Sequence, residues 1–436
     1  MADDADLLRE FPSTVREVVR ELYQEFSPDE QQSLSSLLLS YLPRLGLRDL
    51  KRVLSLVQEQ YHPVFAHAPC ICIVGPVNTG KSSLYNALIT CGETANTGPI
   101  PGTTKVAQEG AVGLFTVVDT PGADDAEVGD EEVQAGEVRR HRALEAAERA
   151  DLLIMVFDAF AGISRGALGV YQDLAALGKP YVIAFNKIDL VSKHDLEAVG
   201  GLAARTLGVA REEIIPISAK ERTNLDTLLV AVVKADPRIA AAVGQALPAF
   251  REKVANQRII SAAVAAGSVN LITSPIPIPF TSFGPLVLIQ SGLVLSIARI
   301  YGYKITTQRA KELIATFGAG FGARTLFQQL VTKVPGPGWV LGTAIAVATT
   351  AAIGYAAVLW FDRGEKLTAD AAKDMVAAIT QRVVDRLRGF GKKRPGQRKL
   401  REALQETLSD VDEVVSGAKE TSTEQGSSEM SGVHVA

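Results

Sequence analysis

The sequence predicts an α/β domain, with a mostly parallel sheet and helices on both faces, flanked by an N-terminal helical segment and a C-terminal hydrophobic all-α domain. Between residues 69 and 238, five short runs alternate with helix-like stretches: CICIV, LFTVV, LLIMVF, YVIAF and EIIPI. That alternation is typical of parallel strands covered by helices. Residues 259–298 and 334–361 carry no charged side chain, which predicts the hydrophobic helices.

The pattern divides the chain into six parts. Residues 1–68 are expected to be helical, because Ser27, Pro28 and Glu30 form a capping box before an apolar run. The small, polar residues after 416 cannot bury enough surface to fold. The remaining parts are the α/β domain over 69–238, a linker helix over 239–258, a hydrophobic membrane-associated helical domain over 259–363, basic amphipathic helices over 364–416 and a disordered tail over 417–436.

The composition indicates a multi-domain protein of a reducing compartment. With 436 residues, the chain is long enough for two or three domains of about 150 residues each. Its cysteines, Cys70, Cys72 and Cys91, have the spacing of neither a disulfide framework nor a zinc site. The first residues, MADDADLLRE, are acidic and polar, unlike a secretory signal. We therefore expect the chain to start in the cytosol.

The stretch GPVNTGKS, residues 75–82, follows a strand and precedes a helical pattern. This is the context that a phosphate-binding P-loop requires. Its glycines let backbone N–H groups surround a β-phosphate at a helix N-terminus, Lys81 reaches the β and γ oxygens, and the Ser82 hydroxyl ligates Mg²⁺. The nucleotide-binding residues predicted here are Gly75, Asn78, Thr79, Gly80, Lys81, Ser82 and Ser83.

The motif NKID, at the end of a later strand, predicts that the base is guanine. Its carboxylate, Asp189, can accept two hydrogen bonds, which suits the N1–H and the exocyclic amine of guanine, whereas adenine offers no such donor pair. Asn186 and Lys187 belong to the same motif. The stretch SAK, formed by Ser218, Ala219 and Lys220, ends another strand and is expected to contact the base.

Two further stretches predict the surroundings of the γ-phosphate. DTPG, residues 119–122, places the Asp119 carboxylate beside the metal and the Gly122 N–H near the γ-phosphate. PGTTK, residues 101–105, supplies threonines in the loop between the first helix and the next strand. In this order after a P-loop, these short motifs reinforce one another.

Together these motifs resemble the five motifs of translation-factor-class (TRAFAC) GTPases, closest to the Era and MnmE branch. The resemblance covers about 170 residues and implies a Ras-like fold that binds GTP, GDP and Mg²⁺. It implies that Ser82, Thr104 and Asp119 hold the metal, and that Lys81, Thr104, Gly122 and Asn78 take part in catalysis.

Asn78 has two interpretations. The resemblance implies that it helps to hold a potassium ion where an arginine finger would otherwise act. The alternative is a loop residue that braces the turn. The residue after DTPG is Ala123, where Ras-type enzymes have a water-orienting glutamine. We therefore expect slow hydrolysis unless a cation, a partner or a second copy of the domain completes the site.

The hydrophobic region predicts membrane association. Residues 338–361 are long enough to span a bilayer, whereas SPIPIPF divides residues 259–298 into two short halves. Both flanking segments, 299–333 and 382–401, are basic, and basic residues prefer the cytoplasmic side of a membrane. A single crossing by residues 338–361 would place the two segments on opposite sides. We therefore expect shallow or re-entrant insertion from the cytoplasmic side. The alternative is a buried helical bundle. Residues 259–361 resemble a hydrophobic domain of YcjF-type membrane proteins, for which no chemistry is assigned.

The predicted function is a GTPase whose nucleotide state controls membrane association or self-assembly at the cytoplasmic face of a membrane. Between Arg299 and Arg401 lie 18 basic and 6 acidic residues, a net charge of +12 against −16 elsewhere, which favours an anionic lipid surface as a partner. One alternative is a membrane-bound remodelling scaffold in which GTP serves assembly. Another is an Era-like RNA-binding factor, ranked last because RLRGFGKKRPGQRKLR lacks interleaved aromatic residues.

Overall fold

The computed structural model describes residues 47–65, 69–91, 114–120, 144–273, 283–303, 338–365, 367–391 and 394–409. These residues divide into two compact units. The sheet unit contains the described residues of 62–257 and 299–303. The helical unit contains the described residues of 47–61, 258–298 and 338–409.

The helices begin and end as follows: α1 Leu47–Phe65, α2 Lys81–Cys91, α3 144–149, α4 Arg165–Ala176, α5 Leu196–Leu207, α6 Leu225–Ala235, α7 Ala240–Ala246, α8 Arg251–Thr273, α9 Phe283–Ile300, α10 Gly338–Arg363, α11 Ala369–Arg388 and α12 397–409. The strands are β1 Ile71–Pro76, β2 Phe115–Thr120, β3 Leu152–Asp158, β4 Tyr181–Asn186 and β5 Ile214–Pro216. Short 3₁₀ helices lie at Ile188–Leu190, Arg211–Glu213, Pro237–Ile239 and Pro248–Phe250.

The described strands form one sheet in the order β2-β1-β3-β4-β5, and all four pairings are parallel. Each strand overlaps one of the five predicted runs, so the predicted fold class is confirmed. Strands β1 and β3 are apolar almost throughout and buried except at their last residues, Pro76 and Asp158, as expected for parallel strands that are covered on both faces. Their carboxyl ends therefore meet at one edge, where the polar motifs begin.

Local signals explain several helix ends in the sheet unit. The Ser164 hydroxyl at the N-cap of α4 accepts a hydrogen bond from the Ala167 N–H at 3.2 Å, which satisfies one of the free amides of the first turn. Helix α5 ends at Gly208, whose φ of 73° lies in the left-handed region that favours glycine. In β1, burial raises the pKa of the Cys72 thiol to about 12, so this thiol is an inert packing group.

The helical unit is built from apolar helices that approach one another closely at glycines. A Cβ atom placed on Gly354 of α10 would lie 2.5 Å from Ile259 Cγ1 of α8, and one placed on Gly267 of α8 would lie 2.8 Å from Val347 Cγ2 of α10. Small residues are therefore required where these helices cross. Among the described residues, one helix, α10, is long and apolar enough to cross a membrane, and nearly all of its residues from Trp339 to Phe361 are buried.

Most of the polar side chains that are buried in the described part of the helical unit belong to serine and threonine, and one buried side chain is a cation. Arg258 of α8 is fully buried and donates from Nη2 to Gln60 Oε1 of α1 at 3.0 Å. Desolvation lowers the pKa of Arg258 to about 10, and the charge of Glu59 opposes that shift. In the part of the chain that the structure describes, Arg258 Nε and Gln60 Nε2 have no hydrogen-bond partner.

Candidate functional site

The P-loop lies between β1 and α2, at the carboxyl edge of the sheet. Two of its glycines are required by close approaches of the backbone. A Cβ atom on Gly75 would lie 2.2 Å from the Val156 carbonyl oxygen of β3, and one on Gly80, whose φ is 88°, would lie 2.4 Å from Asn186 Nδ2. Side chains at these two positions would push the loop away from the sheet. The spacing of glycines in the motif thus has a steric cause.

Lys81 and Thr79 shape the loop from within. Both side chains are buried, and both donate to the Pro76 carbonyl, Lys81 Nζ at 2.5 Å and Thr79 Oγ1 at 2.9 Å. Ser82 and Ser83 are exposed in the first turn of α2. The free amides of that turn provide an anion site, and Mg²⁺ takes one or two protein oxygens together with phosphate oxygens. The exposed position of Ser82 in that turn fits the role of a metal ligand.

Asn78 occupies the exposed tip of the loop with a φ of 63°. Asparagine adopts this left-handed conformation more readily than other residues that carry a side chain, apart from aspartate. The backbone therefore gives a reason for asparagine at this position that does not involve a cation. The two interpretations of Asn78 make different predictions for a glycine substitution.

Asn186 joins the P-loop to the loop that contains Ser218, Ala219 and Lys220. Its Nδ2 donates to the Thr79 carbonyl at 2.9 Å, and its Oδ1 accepts from the Ala219 N–H at 2.9 Å. The side chain is 2% exposed. A buried carboxamide with both ends satisfied fixes the relative position of two loops that lie far apart in the sequence.

Asp189 and Ser218 lie side by side where the base is predicted to bind. Ser218 Oγ donates to Asp189 Oδ1 at 2.6 Å and accepts from the Glu221 N–H at 3.0 Å. The Ile188 N–H donates to the Ile217 carbonyl at 3.2 Å, so the backbones of the two motifs are also joined. Lys220 is exposed, and its Nζ lies 3.4 Å from Glu221 Oε1.

Asp158, at the end of β3, is a residue that the sequence motifs did not identify. Its Oδ2 accepts from Lys187 Nζ at 2.6 Å, and its Oδ1 accepts from the N–H groups of Phe160 and Ala161 at 2.8 and 3.2 Å. The signal that could have found it is its position as a carboxylate at the carboxyl end of a buried strand, one strand away from NKID. Such positions collect site residues in parallel sheets.

The predicted residues around the γ-phosphate are placed only in part. The backbones of Asp119 and Thr120 pair with Gly75 and Pro76 in the register of β1 and β2, which brings the first two residues of DTPG beside the start of the P-loop. Thr104 and Gly122 lie outside the described residues. Their roles stay predictions.

Part of this chain is similar to known GTPases. Residues 70–187 match the family described as 50S ribosome-binding GTPase. GTPase Der of Sulfurihydrogenibium is 34% identical over 171 residues, which is 37% of this chain and 37% of that protein. GTPase Der of Thermotoga is 29% identical over 248 residues, 53% of each chain. GTPase HflX of Hyperthermus butylicus is 34% identical over 196 residues, 42% of this chain and 50% of that protein.

The chain spans about half or less of the length of these curated relatives. Among solved structures, Era of Aquifex aeolicus is matched over 45% of this chain and 67% of that chain, with 24% identity and a TM-score of 0.29. The FeoB G-domain of Methanococcus jannaschii is matched over 38% of this chain and 96% of that chain, with 26% identity and a TM-score of 0.25.

Proposed function

We propose, starting from the P-loop GTPase domain that this chain contains, that the protein binds GTP and GDP with Mg²⁺ and hydrolyses GTP slowly. The observation that carries the proposal is the double hydrogen bond of Asn186, which joins the P-loop to the Ala219 N–H. One side chain thereby holds the phosphate-binding and base-binding loops in register. A loop that matched the P-loop pattern by chance would not be expected to be hydrogen-bonded to the base-binding loop through one buried side chain.

Each residue then has a defined task. Lys81 and the first-turn amides of α2 stabilise phosphate oxygens, and Ser82, Thr104 and Asp119 hold Mg²⁺, which offsets the negative charge that develops during phosphoryl transfer. Asp189 selects guanine, and Gly122 contacts the γ-phosphate. Ala123 has no side chain that can orient water, so intrinsic turnover is slow.

Potassium activation through Asn78 is part of the proposal. The test compares GTP turnover in potassium and in sodium for the wild type, Asn78→Gly and Asn78→Ala. Glycine keeps the φ of 63° without strain but removes the carboxamide, whereas alanine removes the carboxamide and also strains the loop. If the carboxamide binds potassium, both variants lose the activation, and Asn78→Gly keeps GDP affinity.

Retention of potassium activation by Asn78→Gly would assign Asn78 to bracing the turn and would contradict the cation role. Turnover at a series of protein concentrations, measured in the same experiment, tests whether a second copy of the domain completes the site. In that case the specific activity rises with concentration. A constant specific activity contradicts completion by a second copy.

The nucleotide state is proposed to control membrane association or self-assembly, with the GTPase domain in the cytosol and the helical unit at the cytoplasmic face. Support comes from the apolar helices α8, α9 and α10 and from the basic excess between Arg299 and Arg401. Surface basic residues contribute about 1 kcal/mol each on anionic lipid. The protein should co-sediment with vesicles of anionic lipid more than with neutral vesicles, and to a different extent with GTP than with GDP.

Equal sedimentation with no vesicles, neutral vesicles and anionic vesicles would contradict the membrane proposal and favour the buried helical bundle. If vesicles instead deform as turnover rises with protein concentration, the remodelling scaffold is the better description. The RNA-binding alternative is less well supported, because the basic stretch RLRGFGKKRPGQRKLR lacks the interleaved aromatic residues on which bases stack.

A further inference from the structure

We infer that Asp158 is a positioning residue for the guanine nucleotide, acting through Lys187. The inference rests on the proposed GTP and GDP binding and extends it to a residue outside the recognised motifs. Asp158 ends β3 directly opposite Asn186 in the register of β3 and β4. The Ala159 N–H donates to the Asn186 carbonyl at 2.8 Å, so the connection between the two strands continues one residue beyond the end of β3.

The backbone of Lys187 adopts an unusual conformation that other interactions must stabilise. Its φ is 67° and it is not a glycine, a conformation that costs free energy in a residue with a Cβ atom. Its Nζ lies 2.6 Å from Asp158 Oδ2, and the Asp158 side chain is 14% exposed. The hydrogen bond is charge-assisted and partly buried. It therefore restricts the Lys187 side chain, which has many rotamers, to one orientation.

The Lys187 stem also lies beside the P-loop. A Cβ atom placed on Gly80 would lie 3.9 Å from Lys187 Cε. The side chain therefore runs between Gly80, where the phosphates are expected, and Asp158 at the end of β3. Lys187 is also adjacent to Asn186 in NKID. We therefore infer that the Lys187 side chain lines the nucleotide site between the phosphate-binding and the base-binding residues.

The two carboxylate oxygens of Asp158 have separate partners. Oδ2 accepts from Lys187, while Oδ1 accepts from the Phe160 and Ala161 N–H groups. Asn in place of Asp158 has one oxygen instead of two. It can still cap the turn with that oxygen, but its NH₂ group then faces the Lys187 ammonium. The Asp158→Asn substitution therefore removes the anchor and keeps the turn.

The experiment is a double-mutant cycle with GDP in the presence of Mg²⁺, using the full chain. The variants are Asp158→Asn, Lys187→Met and the double variant, and the readouts are the Kd for GDP and thermal unfolding. We expect Asp158→Asn to weaken GDP binding about tenfold when Lys187 is present, and less than about twofold in the Lys187→Met background.

Equal weakening in both backgrounds would overturn the inference, because the effect would then come from the turn alone. No weakening when Lys187 is present would overturn it as well. If Asp158→Asn does not fold, Asp158→Ser, whose hydroxyl can still cap the turn, is judged by the same criterion. Failure of the wild type to bind GDP is a different outcome, since it overturns the proposed function together with this extension.

Discussion

The carboxyl edge of the sheet and the interior of the helical unit are held together in different ways. At the sheet edge, Asn186, Asp189 and Lys187 each have a partner from a different element at hydrogen-bond distance. In the helical unit, apolar burial and close glycine contacts dominate. Directional hydrogen bonds require particular residues, so they carry functional information. Apolar packing constrains the size of the residues more than their chemistry, so it is compatible with more than one environment.

The largest expected effect tests the directional hydrogen bonds at the carboxyl edge of the sheet. Asp189→Asn replaces one oxygen acceptor with an NH₂ donor opposite the donors of guanine. We expect GDP affinity to fall at least about 100-fold, and xanthosine diphosphate, which has a carbonyl in place of the exocyclic amine, to become the better ligand. Calorimetric titration of both nucleotides measures the change.

Asp226→Asn is the matched control, because Asp226 is partly exposed on α6 and pairs with Lys253. It should bind GDP like the wild type. Unchanged preference for GDP over xanthosine diphosphate in Asp189→Asn would show that the base is not read by this carboxylate.

Much of the sheet unit could be predicted from the sequence, and the reasons are physical. The strands were recognisable because β-branched and other apolar runs of strand length are bounded by turn residues, and the P-loop because Gly75 and Gly80 are sterically required. The link from Asn186 to Thr79 and the pair of Asp158 with Lys187 could not be predicted. They join residues 107 and 29 positions apart, and no local pattern encodes such distances.

The helical unit was less predictable. The absence of charge in residues 259–298 indicated helices α8 and α9, but it did not indicate that Gly354 would meet Ile259. Nor did it indicate that Arg258, immediately before that run, would be buried against Gln60. Helix contacts depend on which small residues face each other, and an Ala-rich helix such as α10 offers several candidate faces.

The next effect tests whether the helical unit is a tightly packed bundle in water. Gly354→Val places atoms where Ile259 Cγ1 lies 2.5 Å from the first added carbon. Overpacking of this kind costs about 1–3 kcal/mol, so thermal unfolding in lipid-free buffer should occur at a lower temperature. Gly201→Val on α5 is the control, because a Cβ atom there meets nothing within 4 Å.

The same unfolding temperature for Gly354→Val and the wild type in lipid-free buffer would contradict tight packing between α8 and α10 in water. In that case the two units would differ more strongly, because helices α8 and α10 would pack tightly only in an environment other than water.

The last pair of variants concerns the buried cation, and it includes the smallest expected effect, that of Arg258→Met. Gln60→Leu removes the acceptor of Arg258 Nη2 and should lower the free energy of unfolding by about 1–3 kcal/mol. Arg258→Met removes the charge itself and should be close to neutral, because replacing a poorly paired buried ion with an apolar side chain is often tolerated. Chemical denaturation of both variants measures the difference. A larger loss in Arg258→Met than in Gln60→Leu would contradict this account.

The pKa of Arg258 adds a pH dependence. Burial lowers the pKa of Arg258 to about 10, well below the usual value for arginine, so above pH ~10 the folded state binds fewer protons than the unfolded state. The cost of burying the charge is present below that pH and is relieved as pH rises through it. Relative to Arg258→Met, the wild type should therefore gain stability on passing pH ~10, and a constant difference would contradict the assignment.

The measurement that tests the central claim most directly is phosphate release from GTP by the full-length wild type and by Lys81→Ala, with Mg²⁺ and potassium present. Lys234→Ala, an exposed lysine on α6, is the control. The account predicts slow turnover by the wild type and Lys234→Ala, and a loss of at least about 100-fold in Lys81→Ala. Equal phosphate release by the wild type and Lys81→Ala would contradict it.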